Sequence, residues 1–446
     1  MRAALILADL DAFYTQHADV GGLAVEASAS VSPFALAEAA WLARKVLGPA
    51  DRRALGEAGV RLVIVGTGEM VTDLPEYAHL TPKVWWDRRY RGMGPTADLP
   101  VVLCSEEDLL DLPGDDVPGD SACLHELAHA LQFAREARDP GFVARLDAVY
   151  AEAMTAGLWR DTYSATHPAE YLAVGAVAWF DALTPAVSAH TRDALRAYDP
   201  GLATLCEAVF GDGGWRYSSP TSRGGRAHLA RFDPARLSPF TWPERARWDT
   251  PELRLPWVSP APAVSASGDA ASWVVFENLR HRSVEIVRLD GEGVRHEEHT
   301  LPSGGAWLAS TTAGEVWTFR EGSRELGTVV ARESLGYASI GASPPGPLDP
   351  DALARAPRLP LQASPPAVSP IDGEDAVWVV FANRRDHAVE VDWLDFDGVR
   401  HPYHLLQPGE ELVRDAYVGH VWWLRAGETD LGAVVIGATA GRVEIE

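Results

Sequence analysis

Two stretches in the second half of the chain repeat each other at a constant offset of 105 residues. An ungapped repeat indicates two copies of one folding unit, which we name module 1 and module 2 in chain order. Each copy consists of β-branched and aromatic runs separated by turn signals, with no long helical period. The repeat therefore predicts two small antiparallel β-sandwiches. The matched segments are Trp273-Val-Val-Phe-x-Asn-x-Arg with Trp378-Val-Val-Phe-x-Asn-x-Arg, Gly293-Val-Arg-His with Gly398-Val-Arg-His, Gly314-x-Val-Trp with Gly419-x-Val-Trp, and Leu326-Gly-x-Val-Val with Leu431-Gly-x-Val-Val.

The sequence before the repeat has a different pattern. It alternates helical and extended segments up to about residue 217, and then loses its periodicity in a stretch rich in Pro, Arg and Trp. We therefore predict a multidomain chain with an α+β domain at 1–217, a packed connector at 218–265, module 1 at 266–335, a Pro-rich linker at 336–368 and module 2 at 369–446.

Apolar periodicity and capping residues locate the elements of the first domain. Ser32 before Pro33 is a candidate helix N-cap. Short apolar runs at Val60–Gly66 and Pro100–Cys104 predict buried strands. The predicted helices are Pro33–Gly48, Ser121–Glu136, Gly141–Ala156, Pro168–Asp181, and His190–Phe210 with a break near Pro200.

The chain is strongly acidic, with a formal net charge of −24 over 446 residues. Such a surface repels phosphate backbones and anionic lipid headgroups, so we predict neither a nucleic-acid nor a membrane partner. No apolar run approaches the roughly 18 residues that a transmembrane helix needs.

The N-terminus and the cysteines bear on the cellular compartment. The apolar stretch Ala3–Ala8 is too short for a signal peptide and is followed by Asp9. Cys104, Cys123 and Cys206 are too few and too scattered for a disulfide framework, so we expect buried thiols. These features predict a cytoplasmic protein, with export by an unconventional route as the alternative.

A zinc motif stands within the predicted helix Ser121–Glu136. It reads His125-Glu126-Leu-Ala-His129. Residues four apart share one face of a helix, so both imidazoles can reach one Zn²⁺, with Glu126 placed to take a proton from water. A chance match to this short pattern is the alternative.

A catalytic zinc needs a third protein ligand. Glu170 and His167 are both candidates, because they follow the motif at the start of the helix predicted from Pro168. The alternative for Glu170 is a first-turn carboxylate that the helix dipole favours. Tyr163, seven residues before Glu170, is either a site residue or an ordinary half-buried tyrosine.

The spacing of Tyr163 and Glu170-Tyr-Leu-Ala resembles the second motif of glutamate-type zincins related to the anthrax lethal factor catalytic domain. The resemblance implies an α+β zincin-like metallopeptidase domain, with Glu170 as third zinc ligand and Tyr163 assisting the transition state. Further stretches resemble uncharacterised zincin-like proteins: Phe13–Thr15, Thr72–Tyr77, Pro113–Asp115 and Trp159–Asp181.

One position departs from that family. Its members usually carry a second Glu beside the metal, where this chain has Val174. Losing such a partner can cost about 10–100-fold in metal affinity or activity. Two hypotheses follow: an active peptidase in which Glu126 is the general base, or a non-catalytic zinc-binding scaffold. The run Val101–Cys104 is either an edge strand that pairs with substrate or an inner strand.

Module 2 resembles the β domain of the von Hippel–Lindau family, which recognises a peptide containing 4-hydroxyproline. The family pocket uses a Tyr, a Ser, a His and a Trp, and the matching positions here are Tyr403, Ala416, His420 and Trp422. The alternative is that these aromatics belong to the core and that His420 is a surface histidine. Module 1 keeps only the Trp, and its equivalents are Glu298, Thr311, Glu315 and Trp317.

Together these patterns predict a zinc-dependent endopeptidase whose modules bind a protein substrate at proline or hydroxyproline. The alternative is a scaffold without catalytic activity whose modules bind a peptide or protein partner. The oligomeric state is not predicted.

Overall fold

The computed structural model describes residues 10–446 except 11, 116, 118, 161, 184–188, 225, 251, 259, 267, 269, 281, 342–352, 371–375, 396–397 and 428. The chain divides into two compact units, Met1–Trp248 and Asp249–Glu446. Helices are found in the first unit together with one sheet, and the second unit contains four antiparallel-rich sheets. The architecture is that of a multidomain α+β protein.

The first unit contains four strands and nine helices among its described residues. The strands are β1 (Tyr14–Val20), β2 (Leu23–Ser28), β3 (Arg61–Val65) and β4 (Val101–Ser105). The helices are α1 (Pro33–Val46), α2 (Pro49–Glu57), α3 (Lys83–Arg89), α4 (Glu106–Leu110), α5 (Ala122–Glu136), α6 (Phe142–Thr155), α7 (Pro168–Trp179), α8 (Arg192–Tyr198) and α9 (Pro200–Phe210).

The predicted helices and strands of the first unit are confirmed, with ends that differ by at most two residues. Capping residues explain where the helices start. The side chain of Ser32 accepts from the N–H of Phe34, and a proline occupies the first turn of α1. The predicted break near Pro200 separates α8 from α9, where the Asp199 carboxylate caps α9.

The sheet of the first unit has the strand order β1-β2-β3-β4. Strands β1 and β2 are antiparallel, and β3 and β4 continue the sheet in parallel. The outer edge of β4 is partly occupied, because Met93 and Leu103 exchange two backbone hydrogen bonds of 3.2 and 2.8 Å. Of the two alternatives for Val101–Cys104, the structure shows an edge strand and not an inner one. Met93 occupies the centre of that edge, which argues against substrate pairing there.

Two of the three cysteines form a disulfide, Cys104–Cys123, and Cys206 is a buried thiol. The expectation of three buried thiols is therefore wrong for Cys104 and Cys123. Their separation of 19 residues gave no sign of pairing, but the end of β4 lies beside the first turn of α5 and brings the two Cα atoms within 5.0 Å.

The predicted connector 218–265 crosses the division between the two units at residue 248. Phe240 and Trp248 are buried in the first unit, as expected for a packed segment, whereas Trp257 is half exposed. Stacking of Trp248 on Trp85, with ring centroids 5.1 Å apart, fixes this end of the first unit.

The second unit contains two sets of seven strands, and all seven pairs lie at the offset of 105, although the last strand of module 2 starts two residues later than its counterpart. Module 1 has β5 (Ala271–Asn278), β6 (Val284–Leu289), β7 (Arg295–Leu301), β8 (Ala306–Thr312), β9 (Val316–Glu321), β10 (Arg324–Val330) and β11 (Ser334–Ile340). Module 2 has β12 (Ala376–Asn383), β13 (Val389–Leu394), β14 (Arg400–Leu406), β15 (Glu411–Tyr417), β16 (Val421–Ala426), β17 (Thr429–Val435) and β18 (Gly441–Ile445).

Each module has one sheet of four strands and one of three. The pairing is antiparallel except that the last strand of each module lies parallel to its first strand, β11 on β5 and β18 on β12. The prediction of purely antiparallel modules is wrong in this respect. In both copies a buried asparagine, Asn278 or Asn383, donates to three backbone carbonyls across a turn.

The predicted boundaries of the modules differ from the strands in one place. Strand β11 runs five residues past the end predicted for module 1 at residue 335. Part of the predicted linker, 342–352, lies outside the described residues, and the segment after it pairs with module 2 through the bridges Arg358–Arg442 and Gln362–Ala433. Among the described residues, no helix combines the length and the apolarity that crossing a membrane requires.

Candidate metal centre and peptide pocket

Three of the residues predicted to bind zinc converge. The Nε2 atoms of His125 and His129 are 3.1 Å apart, and Oε2 of Glu170 lies 3.0 and 3.4 Å from them. A tetrahedral zinc with bonds of about 2.0–2.1 Å requires neighbouring ligand atoms about 3.3 Å apart. The donor types and the spacing therefore fit a zinc ion with one open position.

Helix α5 holds both histidines, and its first turn is anchored twice. The carboxylate of Asp108 accepts from the N–H groups of Ala122 and Cys123 at 2.7 and 2.8 Å. A carboxylate at a helix N-terminus satisfies free N–H groups and is favoured by the helix dipole. The disulfide at Cys123 adds a covalent tie to β4 two residues before His125.

Helix α7 presents Glu170 from its first turn. The next residue, Tyr171, is buried and donates a hydrogen bond of 2.6 Å to Asp199, which also accepts from Trp159. His167 is the N-cap of this helix, and its Nδ1 accepts from the N–H of Ala169 at 3.1 Å. The structure brings Glu170, and not His167, together with the two α5 histidines.

The charges at this centre are strongly coupled. Burial alone would raise the pKa of Glu170, but its hydrogen bonds with His125 and His129 outweigh burial and hold that pKa well below the usual range. Burial would lower the pKa of His129, yet the hydrogen bond with Glu170 raises it. Burial raises the pKa of Glu126. A raised pKa makes this carboxylate a better proton acceptor near neutral pH.

A glycine-containing segment outside the strands, residues 91–95, passes close to the centre and was not predicted from the sequence. A Cβ atom on Gly92 would lie 2.8 Å from Oε1 of Glu126, and one on Gly94 would lie 2.6 Å from Cβ of His129. Only glycine permits so close an approach of the backbone. Arg91 fixes the segment by donating to Glu107 and to the carbonyl of Glu69. The two closely spaced glycines were the available signal.

Cavities lie on both sides of the three donor atoms. One of about 270 Å³ is lined by Gly94, Pro95, His129 and Glu170 among others. The second, of about 380 Å³, is largely apolar and contains Glu126, Tyr163 and Val174 in its lining. The Tyr163 ring lies 6.3 Å from that of His125 and is 58% exposed. The two cavities leave room for a chain on either side of the centre.

Module 2 contains a separate cavity of about 320 Å³. It unites all four positions predicted for its pocket, Tyr403, Ala416, His420 and Trp422. His420 and Trp422 are buried, and the Tyr403 ring stands edge-on to that of Trp422 at 5.1 Å. His420 is therefore not the surface histidine of the alternative interpretation.

Three further residues line the pocket of module 2 and were not predicted: Trp393, Arg414 and Tyr417. Trp393 donates from Nε1 to Nδ1 of His420 at 3.2 Å, and the Arg414 guanidinium lies 4.7 Å from the Tyr403 ring. The alternation of side chains along β13 and β15 was the available signal.

Comparison with protein families bears on this module. Residues 368–439 match the family model of the VHL beta domain. The match covers most of module 2 and confirms the resemblance seen there in the sequence.

Proposed function

We propose that the first unit is a zinc-dependent endopeptidase of the zincin type. The observation that carries the proposal is the convergence of His125, His129 and Glu170 beside the buried carboxylate of Glu126. Three protein ligands and an open position are the arrangement of a catalytic zinc rather than a structural one. The cavities on both sides of the centre favour cleavage within a chain.

Zinc at this centre would polarise the scissile carbonyl and lower the pKa of a water toward neutrality. Glu126 then takes a proton from the attacking water and delivers it to the leaving amine nitrogen. Tyr163 donates a hydrogen bond to the carbonyl oxygen as negative charge develops there. Partial burial and the charge of Glu170 raise the pKa of Tyr163, so that its phenol is protonated at neutral pH.

For module 2 we propose that the pocket around Trp422 binds a peptide segment of a protein partner. An aromatic box with a buried histidine suits a peptide side chain. Tethering this site to the first unit would raise the local concentration of substrate at the zinc. Proline or hydroxyproline as the bound residue stays a prediction.

The cellular compartment also stays a prediction. The Cys104–Cys123 disulfide supports an oxidising compartment, since disulfides are rare in the cytosol. It favours the exported alternative over the cytoplasmic location.

Zinc content and peptide cleavage test the peptidase proposal. We expect about one zinc per chain by mass spectrometry, lost in Glu170→Ala and kept in Glu126→Gln. We expect cleavage of a peptide library by the native chain and none by Glu126→Gln or after chelation. Glu57→Gln is the control and should keep both zinc and cleavage, because Glu57 is exposed at the end of α2 and lines neither cavity.

The second candidate is a zinc-binding scaffold without catalytic activity. Val174 favours it, because a valine lines the cavity where related zincins carry a second Glu. Zinc bound in the native chain without cleavage of any library peptide would support the scaffold. Full cleavage by Glu126→Gln would refute the mechanism.

A further inference from the structure

The two modules carry different chemistry at equivalent positions. In module 1 the Nε1–H of Trp317 donates to Oγ1 of Thr311 at 3.0 Å, and Thr311 in turn donates to the carboxylate of Glu315. Arg288 pairs with Glu298 at 2.8 Å and approaches Glu315 at 3.9 Å. In module 1 the buried indole N–H therefore has a hydroxyl of the same module as its acceptor, and that hydroxyl is held by a carboxylate.

In module 2 both of these acceptors are gone. Ala416 stands at the position of Thr311, and His420 stands at the position of Glu315. Only 5% of the surface of Trp422 is exposed. Its Nε1–H has no hydrogen-bond partner among the described residues. The tryptophan that module 1 satisfies internally thus lacks an acceptor next to a cavity of about 320 Å³.

Among the other polar groups around this cavity, a histidine and an arginine are donors, and two tyrosine hydroxyls can both donate and accept. The Nδ1 of His420 accepts from the indole of Trp393, so in the neutral ring the hydrogen is on Nε2, which can only donate. Arg414 brings a positive charge to the lining. No carboxylate occurs among the described lining residues.

We propose that the pocket of module 2 binds a carboxylate, supplied by an Asp or Glu side chain of the partner peptide. The ligand carboxylate takes the place that Glu315 occupies in module 1. This inference rests on the proposed role of module 2 as a peptide-binding module. A carboxylate offers acceptors only, whereas a hydroxyl also brings a hydrogen that needs an acceptor.

Binding can be tested on the full chain carrying Glu126→Gln, so that cleavage plays no part. The probes are pentapeptides amidated at the C-terminus that differ only in a central Asp, Asn or hydroxyproline. A fourth peptide has a central Ala and a free C-terminal carboxylate, which separates side-chain from terminal carboxylates. The readout is the indole N–H signal of Trp422 in two-dimensional NMR, assigned by its loss in Trp422→Phe.

We expect the Asp peptide to bind at least tenfold more tightly than the Asn peptide and to shift the Trp422 signal. Arg414→Gln should remove most of that preference. The double variant Ala416→Thr/His420→Glu, which copies module 1, should abolish binding. Glu315→Gln in module 1 is the matched control and should leave binding unchanged.

Each other outcome overturns the inference. Equal affinity for the Asp and Asn peptides, or full binding by the double variant, would show that the pocket does not recognise a carboxylate. If the hydroxyproline peptide binds most tightly, or if only the peptide with a free C-terminus binds, the ligand is not a side-chain carboxylate. Module 2 would still be a peptide-binding module. If no peptide moves the Trp422 signal, both the inference and the binding role of this pocket fail.

Discussion

We propose that Tyr163 acts on the substrate rather than on the fold. Its ring lies at the mouth of the apolar cavity, and the residue is more exposed than the other site residues. Loss of one hydrogen bond to a developing oxyanion costs about 10²–10³-fold in kcat. We expect Tyr163→Phe to lower kcat by that amount with little change in KM, measured by steady-state kinetics on a cleaved peptide.

Tyr90→Phe is the control for this prediction, because Tyr90 stacks on Trp86 and lines neither of the two cavities beside the centre. An unchanged kcat in Tyr163→Phe would show that the phenol takes no part in the reaction. A large change in KM with constant kcat would assign Tyr163 to substrate binding instead.

A substitution at Val174 is expected to strengthen zinc binding. It lies one helical turn after Glu170 on α7 and lines the same cavity as His125. A carboxylate beside a ligating histidine orients the ring and makes it more basic, which is worth about 10–100-fold in metal affinity. We expect Val174→Glu to bind zinc more tightly by about that factor in a chelator competition, whereas Val174→Leu should not. Weaker zinc binding in Val174→Glu would contradict this role.

At the scale of elements, helix α5 depends on its covalent tie to β4. A disulfide that closes a loop of this size contributes about 3 kcal/mol to the free energy of unfolding. We therefore expect Cys104→Ser/Cys123→Ser to unfold at a lower denaturant concentration than the native chain. Cys206→Ser is the control for loss of a buried thiol. Titration of the denatured, unreduced chain should find one thiol, and three would show that the disulfide does not form.

The elements could largely be predicted from the sequence, because their signals are local. Ser32 and Pro33 favour the start of a helix whatever the helix packs against. The repeat at an offset of 105 predicted matching strands in both modules. The HExxH spacing likewise predicted one helical face for the two histidines. Glu170 and His167 could not be separated from sequence, because only the packing of α7 against α5 decides which of them reaches the histidines.

The contacts that could not be predicted join segments distant in sequence. The disulfide forms only because β4 packs beside α5. The approach of Gly92 to Glu126 likewise depends on how the segment that contains Gly92 packs against α5. The same holds for the pocket of module 2. Arg414 and Trp393 are on different strands, and their convergence depends on how the two sheets of the module face each other.

At the scale of the whole molecule, the two units have separate hydrophobic cores. Units with their own cores unfold in separate transitions unless a large interface couples them. A ligand raises the stability of the unit that binds it by an amount set by its concentration relative to Kd. The proposed zinc site belongs to the first unit and the aromatic pocket to the second.

Calorimetry of the full chain should therefore show separate transitions for the first unit and for module 2. Chelation should lower the temperature of one, and the Asp peptide should raise the temperature of the other. Glu170→Ala should abolish the effect of chelation while leaving the effect of the peptide. A ligand at 100 times its Kd contributes about 2.7 kcal/mol, enough for a shift of several degrees. If chelation and peptide both moved the same transition, the zinc centre and the pocket would be thermodynamically coupled and the two functions could not be assigned to separate units.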